Sequence, residues 1–129
     1  MSVDPADRNR DAIRRWVDEI VNDGNLDVAD EVFAPPLAAE AKRWVAPFRA
    51  SFSDVQMRVV DLIAEGDKVV GRFLCSGTHT GPWLGHPATG RRFEDVDEVY
   101  FFTFRDGLVV ESWGIEDNER RMAQLGLTL

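Results

Sequence analysis

The order of periodicities along this chain predicts an α+β domain in which N-terminal helices pack on a curved antiparallel sheet. Apolar residues recur at helical spacing from the N-terminal region to about Phe52, and from Val55 onward the period changes to two. A tight Asp106-Gly107 hairpin signal then joins two strand-like runs. Helices first and strands afterwards point to an α+β arrangement, not a wound parallel sheet.

Asp4 followed by Pro5 reads as a helix cap and first helical residue, and Ile13, Trp16, Val17, Ile20 and Val21 carry the helical stripe to about Asn22. Asn22-Asp23-Gly24-Asn25 ends it, and Leu26 to Phe33 predicts a short second helix stopped by Pro35-Pro36. A third helix is expected from Ala38 to Phe52, with Ala41, Trp44, Val45, Phe48 and Phe52 inward and a kink or shifted start at Pro47. Strands follow at about Val55 to Ile63, Lys68 to His79, Arg92 to Arg105 and Leu108 to Ile115. A Gly/Pro-rich loop spans Gly81 to Gly90, and Asp117 is placed to cap a last helix carrying Met122 and Leu125.

The 129 residues, 44% of them hydrophobic, suit one domain spanning 1–129. Acidic residues outnumber basic ones by 23 to 15, a net charge of -8 with no Lys/Arg run, which argues against nucleic acid and anionic membrane surfaces as partners. Met1 to Arg10 is too polar for a signal peptide and no apolar stretch reaches membrane-spanning length. Cys75 is the single cysteine, which fits a reducing cytoplasm, and its apolar strand context reads as packing and not as a nucleophile. His79 and His86 lack the neighbours of a metal site, and the glycines lack the lysine of a phosphate loop, so neither metal nor cofactor is expected.

A curved sheet around a long helix leaves a concave pocket, the ordinary place for a small molecule. Within that frame stand Asp61-Leu62-Ile63-Ala64-Glu65-Gly66-Asp67, Gly77-Thr78-His79-Thr80-Gly81 and Pro87-Ala88-Thr89-Gly90-Arg91-Arg92. Further along come Phe102-Thr103-Phe104-Arg105-Asp106-Gly107, Val110-Glu111-Ser112-Trp113 and Gln124-Leu125-Gly126. In order and spacing these resemble the SnoaL-like polyketide cyclases, or ester cyclases, across nearly the whole chain. The resemblance implies the cone-shaped nuclear transport factor 2-like fold. It also implies cofactor-free aldol chemistry by an aspartate and a histidine on neighbouring strands. Alignment from Arg105-Asp106-Gly107 puts Tyr100 in the place of that histidine and Gly114 in the place of that aspartate, and the stretch between Pro36 and Lys42 is shorter than the family's.

Catalytic candidates therefore come from the residues present. Alternation sends Glu98, Tyr100, Phe102 and Phe104 to one face, the one the resemblance directs to the pocket. Among aromatic rings a carboxylate at Glu98 is expected to titrate high, and the Tyr100 hydroxyl could donate to a carbonyl or enolate. Alternatively Glu98 sits in water near the strand's open end and Tyr100 simply packs, its hydroxyl satisfied by a neighbour. His79, before Gly81-Pro82-Trp83, is a proton shuttle or a loop pin, and Glu116 is an acid/base if a bulge moves it into the empty place. Trp44, Trp83, Phe102 and Phe104 are the expected substrate contacts.

The expected activity is polyketide-cyclase-like proton transfer on a hydrophobic carbonyl compound, in ring closure, isomerisation or dehydration. A non-catalytic binding or scaffold domain, favoured by Tyr100 and Gly114, and an epoxide hydrolase remain the alternatives. An outward set of Val99, Phe101, Val109, Trp113 and Ile115 predicts a homodimer.

Overall fold

A computed structural model describes residues 4–128. Helix α1 (Pro5–Arg15) begins where Asp4 accepts a hydrogen bond from the Ala6 N–H at 2.8 Å and Pro5 occupies the first turn. It continues without a break into a π-helical stretch, Trp16–Asn22, whose Trp16, Val17, Ile20 and Val21 are all buried. Asn22 ties that stretch to the sheet, donating to the Met57 carbonyl at 2.8 Å and accepting from the Met57 N–H at 2.7 Å.

The expected second helix divides into a 3₁₀ turn, Leu26–Val28, and the single turn α2 (Ala29–Val32). Helix α3 (Pro35–Ser51) starts earlier than expected, because Pro35 and Pro36 open it instead of closing the preceding one. A first-turn proline forfeits no hydrogen bond, since N–H groups there have no partner within the helix. The helix runs on through Pro47, which is exposed, as is Arg43, the residue whose carbonyl loses its donor.

Strands β1 (Gln56–Glu65), β2 (Lys68–Thr78), β3 (Arg92–Arg105) and β4 (Leu108–Glu116) form one antiparallel sheet in the order β1-β2-β3-β4. Each strand pair contains one register irregularity, and such bulges bend a strand and increase its twist, which curves the sheet around the N-terminal helix. Asp106 and Gly107 both take positive φ, the conformation a two-residue hairpin of this type requires. Asp117 caps α4 (Asn118–Gln124) by accepting from the Arg120 N–H at 3.0 Å.

The inner face of the sheet contributes Val69, Phe73, Phe93, Val96 and Phe102 to one core with Ile13, Val17, Ile20, Val45 and Phe52 from the helices. Val109 corrects the outward set. Thr103 faces Glu111 but Phe104 faces Val109, so one extra residue on β4 turns Val109 inward, where it is fully buried. Phe101, Trp113 and Ile115 remain outside and exposed. Just ahead of α3 an isolated parallel bridge joins Phe33 to Val109, with the Ala34 N–H donating to the Val109 carbonyl at 2.9 Å. Among the described residues no helix is long and apolar enough to cross a membrane.

Candidate active site

The register of β3 and β4 places Glu98 opposite Glu116, Tyr100 opposite Gly114 and Phe102 opposite Ser112. Alternation puts all six on the inner face, so Glu116 arrives there without the bulge the sequence reading invoked. A side chain built on Gly114 would meet the ring of Tyr100 at less than 3.0 Å. At these two positions one aromatic ring lies over a bare backbone. That ring is held in place, edge to face with Trp16 at 5.4 Å and beside Phe73 at 5.9 Å.

Behind it, Glu98 is fully buried. One carboxylate oxygen accepts the Tyr100 hydroxyl at 2.7 Å and the other accepts from Arg121 Nη2 at 2.5 Å. Arg121, on α4, is itself fully buried between the rings of Phe48 and Phe93, 5.3 and 4.7 Å from their centroids. It also donates to Asn118 and lies 3.6 Å from Glu116, too far for a hydrogen bond. The carboxylate expected to stand alone among apolar walls is therefore half of a buried ion pair, each member of which leaves the other strongly unfavourable if removed.

One buried guanidinium faces two cross-strand carboxyl groups. It bonds Glu98, and Glu116 keeps one buried oxygen with no hydrogen-bond partner in the protein. Burial, and next the negative charge of Glu98, push Glu116 up to about 7, against the opposing pull of Arg121. Burial and the same two carboxyl groups push the Tyr100 phenol well above its ordinary range, so it remains a protonated phenol. With its hydrogen directed to Glu98, Tyr100 can offer a ligand only oxygen lone pairs, not the donated hydrogen bond the sequence suggested.

A cavity of about 420 Å³ opens between α3 and the inner face of β3 and β4. Trp16 and Phe102 form its buried floor, Leu37, Ala41, Trp44 and Val45 one wall, and Tyr100, Ser112, Gly114 and Glu116 the other, with Phe33 and Glu40 completing it. Of the sequence-derived residues, Tyr100, Glu116, Trp44 and Phe102 meet here. Glu98 does not line the space; it lies behind Tyr100.

Three expected residues are elsewhere. His79 is fully buried beside Phe52, its Nδ1 accepting from the Thr89 N–H at 3.2 Å, and burial holds its pKa below the ordinary value. Trp83 packs edge to face on Phe52 at 5.4 Å in a loop fastened to the end of α3, where Ser51 Oγ donates to the Pro82 carbonyl at 2.6 Å. Trp83 does not line the cavity. Phe104 is buried and borders a smaller recess with Pro5, Asn9 and Gly107. Cys75 is buried, and burial pushes its thiol far up, away from nucleophilic character.

Arg121, Glu40 and Ser112 are the site residues that sequence reasoning missed. Ser112 shares its strand face with Gly114 and Glu116, Glu40 lies one turn before Trp44, and Arg121 lies one turn before the buried Leu125. Those spacings were the available signals. Among the described residues no group of three or more His, Cys, Asp or Glu side chains could hold a metal ion.

The SnoaL-like polyketide cyclase family model matches residues 11–125. The fold is similar to TsrD from Streptomyces laurentii, at 28% identity and a TM-score of 0.82 over 98% of this chain and 100% of that one. It is also similar to a candidate SnoaL-like polyketide cyclase from Jannaschia sp. CCS1, at 26% identity and a TM-score of 0.87 over 100% and 99% of the two chains. IdmH, a candidate polyketide cyclase from Streptomyces antibioticus, is 32% identical with a TM-score of 0.76 over 92% of this chain and 99% of its own. No curated protein matches by sequence. Family model, fold and cavity agree, and the chain belongs to the SnoaL-like polyketide cyclase family.

Proposed function

We propose that this protein is a cofactor-free enzyme that moves a proton on a hydrophobic carbonyl compound, in ring closure, isomerisation or dehydration, with Glu116 as the acid/base group. The observation that supports this is a carboxyl group facing an aromatic cavity and poised near pH 7 by burial and by a second carboxylate behind it. Tyr100 positions the reacting face, Glu98 and Arg121 hold Tyr100 and set the charge around Glu116, and Trp44 and Phe102 contact the substrate. His79 supports the loop from Thr80 to Arg91. In our reading the working unit is a homodimer formed through the exposed outer face of the sheet.

Proton abstraction can be followed without knowing the product. Aromatic ketones and ketoesters incubated with the protein in D₂O are expected to exchange α-hydrogens, read by NMR, and Glu116→Gln is expected to slow this on the order of 10²-fold. Undiminished exchange in that variant overturns the assignment. A non-catalytic binding domain is the second reading, favoured by the Tyr100 ring that fills the Gly114 position. It predicts ligand binding with no exchange in either protein.

A further inference from the structure

The cavity's charged groups are of one sign. Its ionisable carboxyl groups are Glu40 and Glu116, and no Lys, Arg or His lines it. Tyr100 has only lone pairs to offer because its hydrogen is given to Glu98, while the unpartnered oxygen of Glu116 is buried 3.6 Å from Arg121 Nη1. Such a lining offers negative charge and no fixed cation for a carboxylate or phosphate; the Ser112 hydroxyl on its wall is neutral.

Glu40 and Trp44 stand one turn apart on α3, so they share a helix face at the cavity mouth. Trp44 is 38% exposed and stacks with one face on Phe48, at 5.5 Å and 6° between planes, which leaves its other face open. The cations nearest in sequence are not directed here. Lys42 is bonded to Asp30 at 2.8 Å, and neither it nor Arg43 lines the cavity. A carboxylate beside an open indole face is the combination that attracts an organic cation, by ion pairing and by the negative face of the ring.

We infer that the ligand is an aromatic compound bearing a basic amine, its ring in the cavity and its ammonium group at the mouth between Glu40 and Trp44, and that the matching carboxylate is rejected. This rests on the reading of the cavity as the substrate site and adds the charge of the substrate to it.

Three probes that share a ring test it: 2-naphthylmethylamine, 2-naphthylmethanol and 2-naphthoate. They are titrated at pH 8 into ¹⁵N-labelled protein while the indole N–H signals are followed. Trp16 and Trp44 line the cavity and report occupancy, whereas Trp83 and Trp113 do not line it and serve as internal controls. The amine is expected to bind about tenfold more tightly than the alcohol, with the carboxylate weakest. Glu40→Gln, a surface substitution, is expected to remove most of the amine's advantage and leave the alcohol within about twofold. Equal or tighter binding of the carboxylate overturns the inference, as does an advantage that persists in Glu40→Gln. If amine and alcohol bind alike, the cavity reading stands and the charge assignment falls. If no probe moves the Trp16 or Trp44 signal, both fall.

Discussion

The ring of Tyr100 and the missing side chain of Gly114 are a single feature: the ring occupies the space that any Cβ at position 114 would need. Trp16, Phe73 and the hydrogen bond to Glu98 prevent the ring from moving aside cheaply. Gly114→Ala is therefore expected to destabilise the protein by about 1–3 kcal/mol, the usual cost of overpacking. In a Tyr100→Ala background the same substitution should cost much less. A double-mutant cycle in urea measures the difference, and additive effects would show that the two residues do not compete for one space.

Glu116 links stability to pH with a definite sign. Its carboxyl holds a proton up to about pH 7 in the folded chain, against an ordinary value of 4.5. The folded state thus binds more protons between those values, and this contribution is complete below about pH 4.5 and lost as the pH rises through 7. Glu116→Gln cannot ionise and should be more stable than the parent at pH 8, by up to about 3 kcal/mol. Urea midpoints from pH 5 to 8 test this; parallel curves for the two proteins would contradict it.

Removing the charge of Glu98 should act on Glu116 and not on the cavity wall. In Glu98→Gln the negative charge that raises Glu116 is gone and Arg121 is left to pair with it, so the Glu116 titration should move down, by about one pH unit or more. Carboxyl ¹³C NMR reads this directly. Any pH-dependent exchange activity should shift its midpoint in the same direction. An unmoved titration would mean that the two carboxyl groups are uncoupled.

On the outer face of the sheet, Ile63, Val70, Phe101 and Trp113 form one row across all four strands, and Ile63 and Trp113 are 65% and 60% exposed. Phe101 and Trp113 pack edge to face at 5.6 Å. A dimer through this row predicts that Trp113→Glu yields a monomer by light scattering with the fold intact, because the ring contributes little to the core. A parent protein already monomeric at tens of micromolar would exclude the interface.

Much of this fold was legible because its elements obey simple periods. The bounds of β3, the Asp106-Gly107 turn and the Asp117 cap follow from local chemistry and stand as expected. Val109 was misplaced because period-two reasoning carries no information about an inserted residue, and one bulge reverses every orientation beyond it. Pro35 and Pro36 were read as a stop because a proline ends one helix and begins the next with equal ease. Glu98 was correctly placed on the inner face, but its partner was not foreseen. An arginine between aromatic rings contradicts the ordinary preference of charged residues for water, and only the contact itself, 23 positions away, explains it. Glu116 was a candidate from the sequence and Glu40 shares a helix face with Trp44, but their meeting in one cavity depends on which stretch of α3 lies against β4, a tertiary fact.

The buried Glu98–Arg121 pair also constrains the order in which the chain can mature as it is synthesised. Strand β3 emerges from the ribosome before α4, so Glu98 is available for burial while its guanidinium partner is still to come. Sealing a lone charged carboxylate there is costly, so until α4 docks Glu98 has to keep its water or take up a proton. Docking then supplies the counter-charge that lets Glu98 be buried as a carboxylate. The final helix is in this sense a latch, because it carries the one guanidinium that Glu98 pairs with.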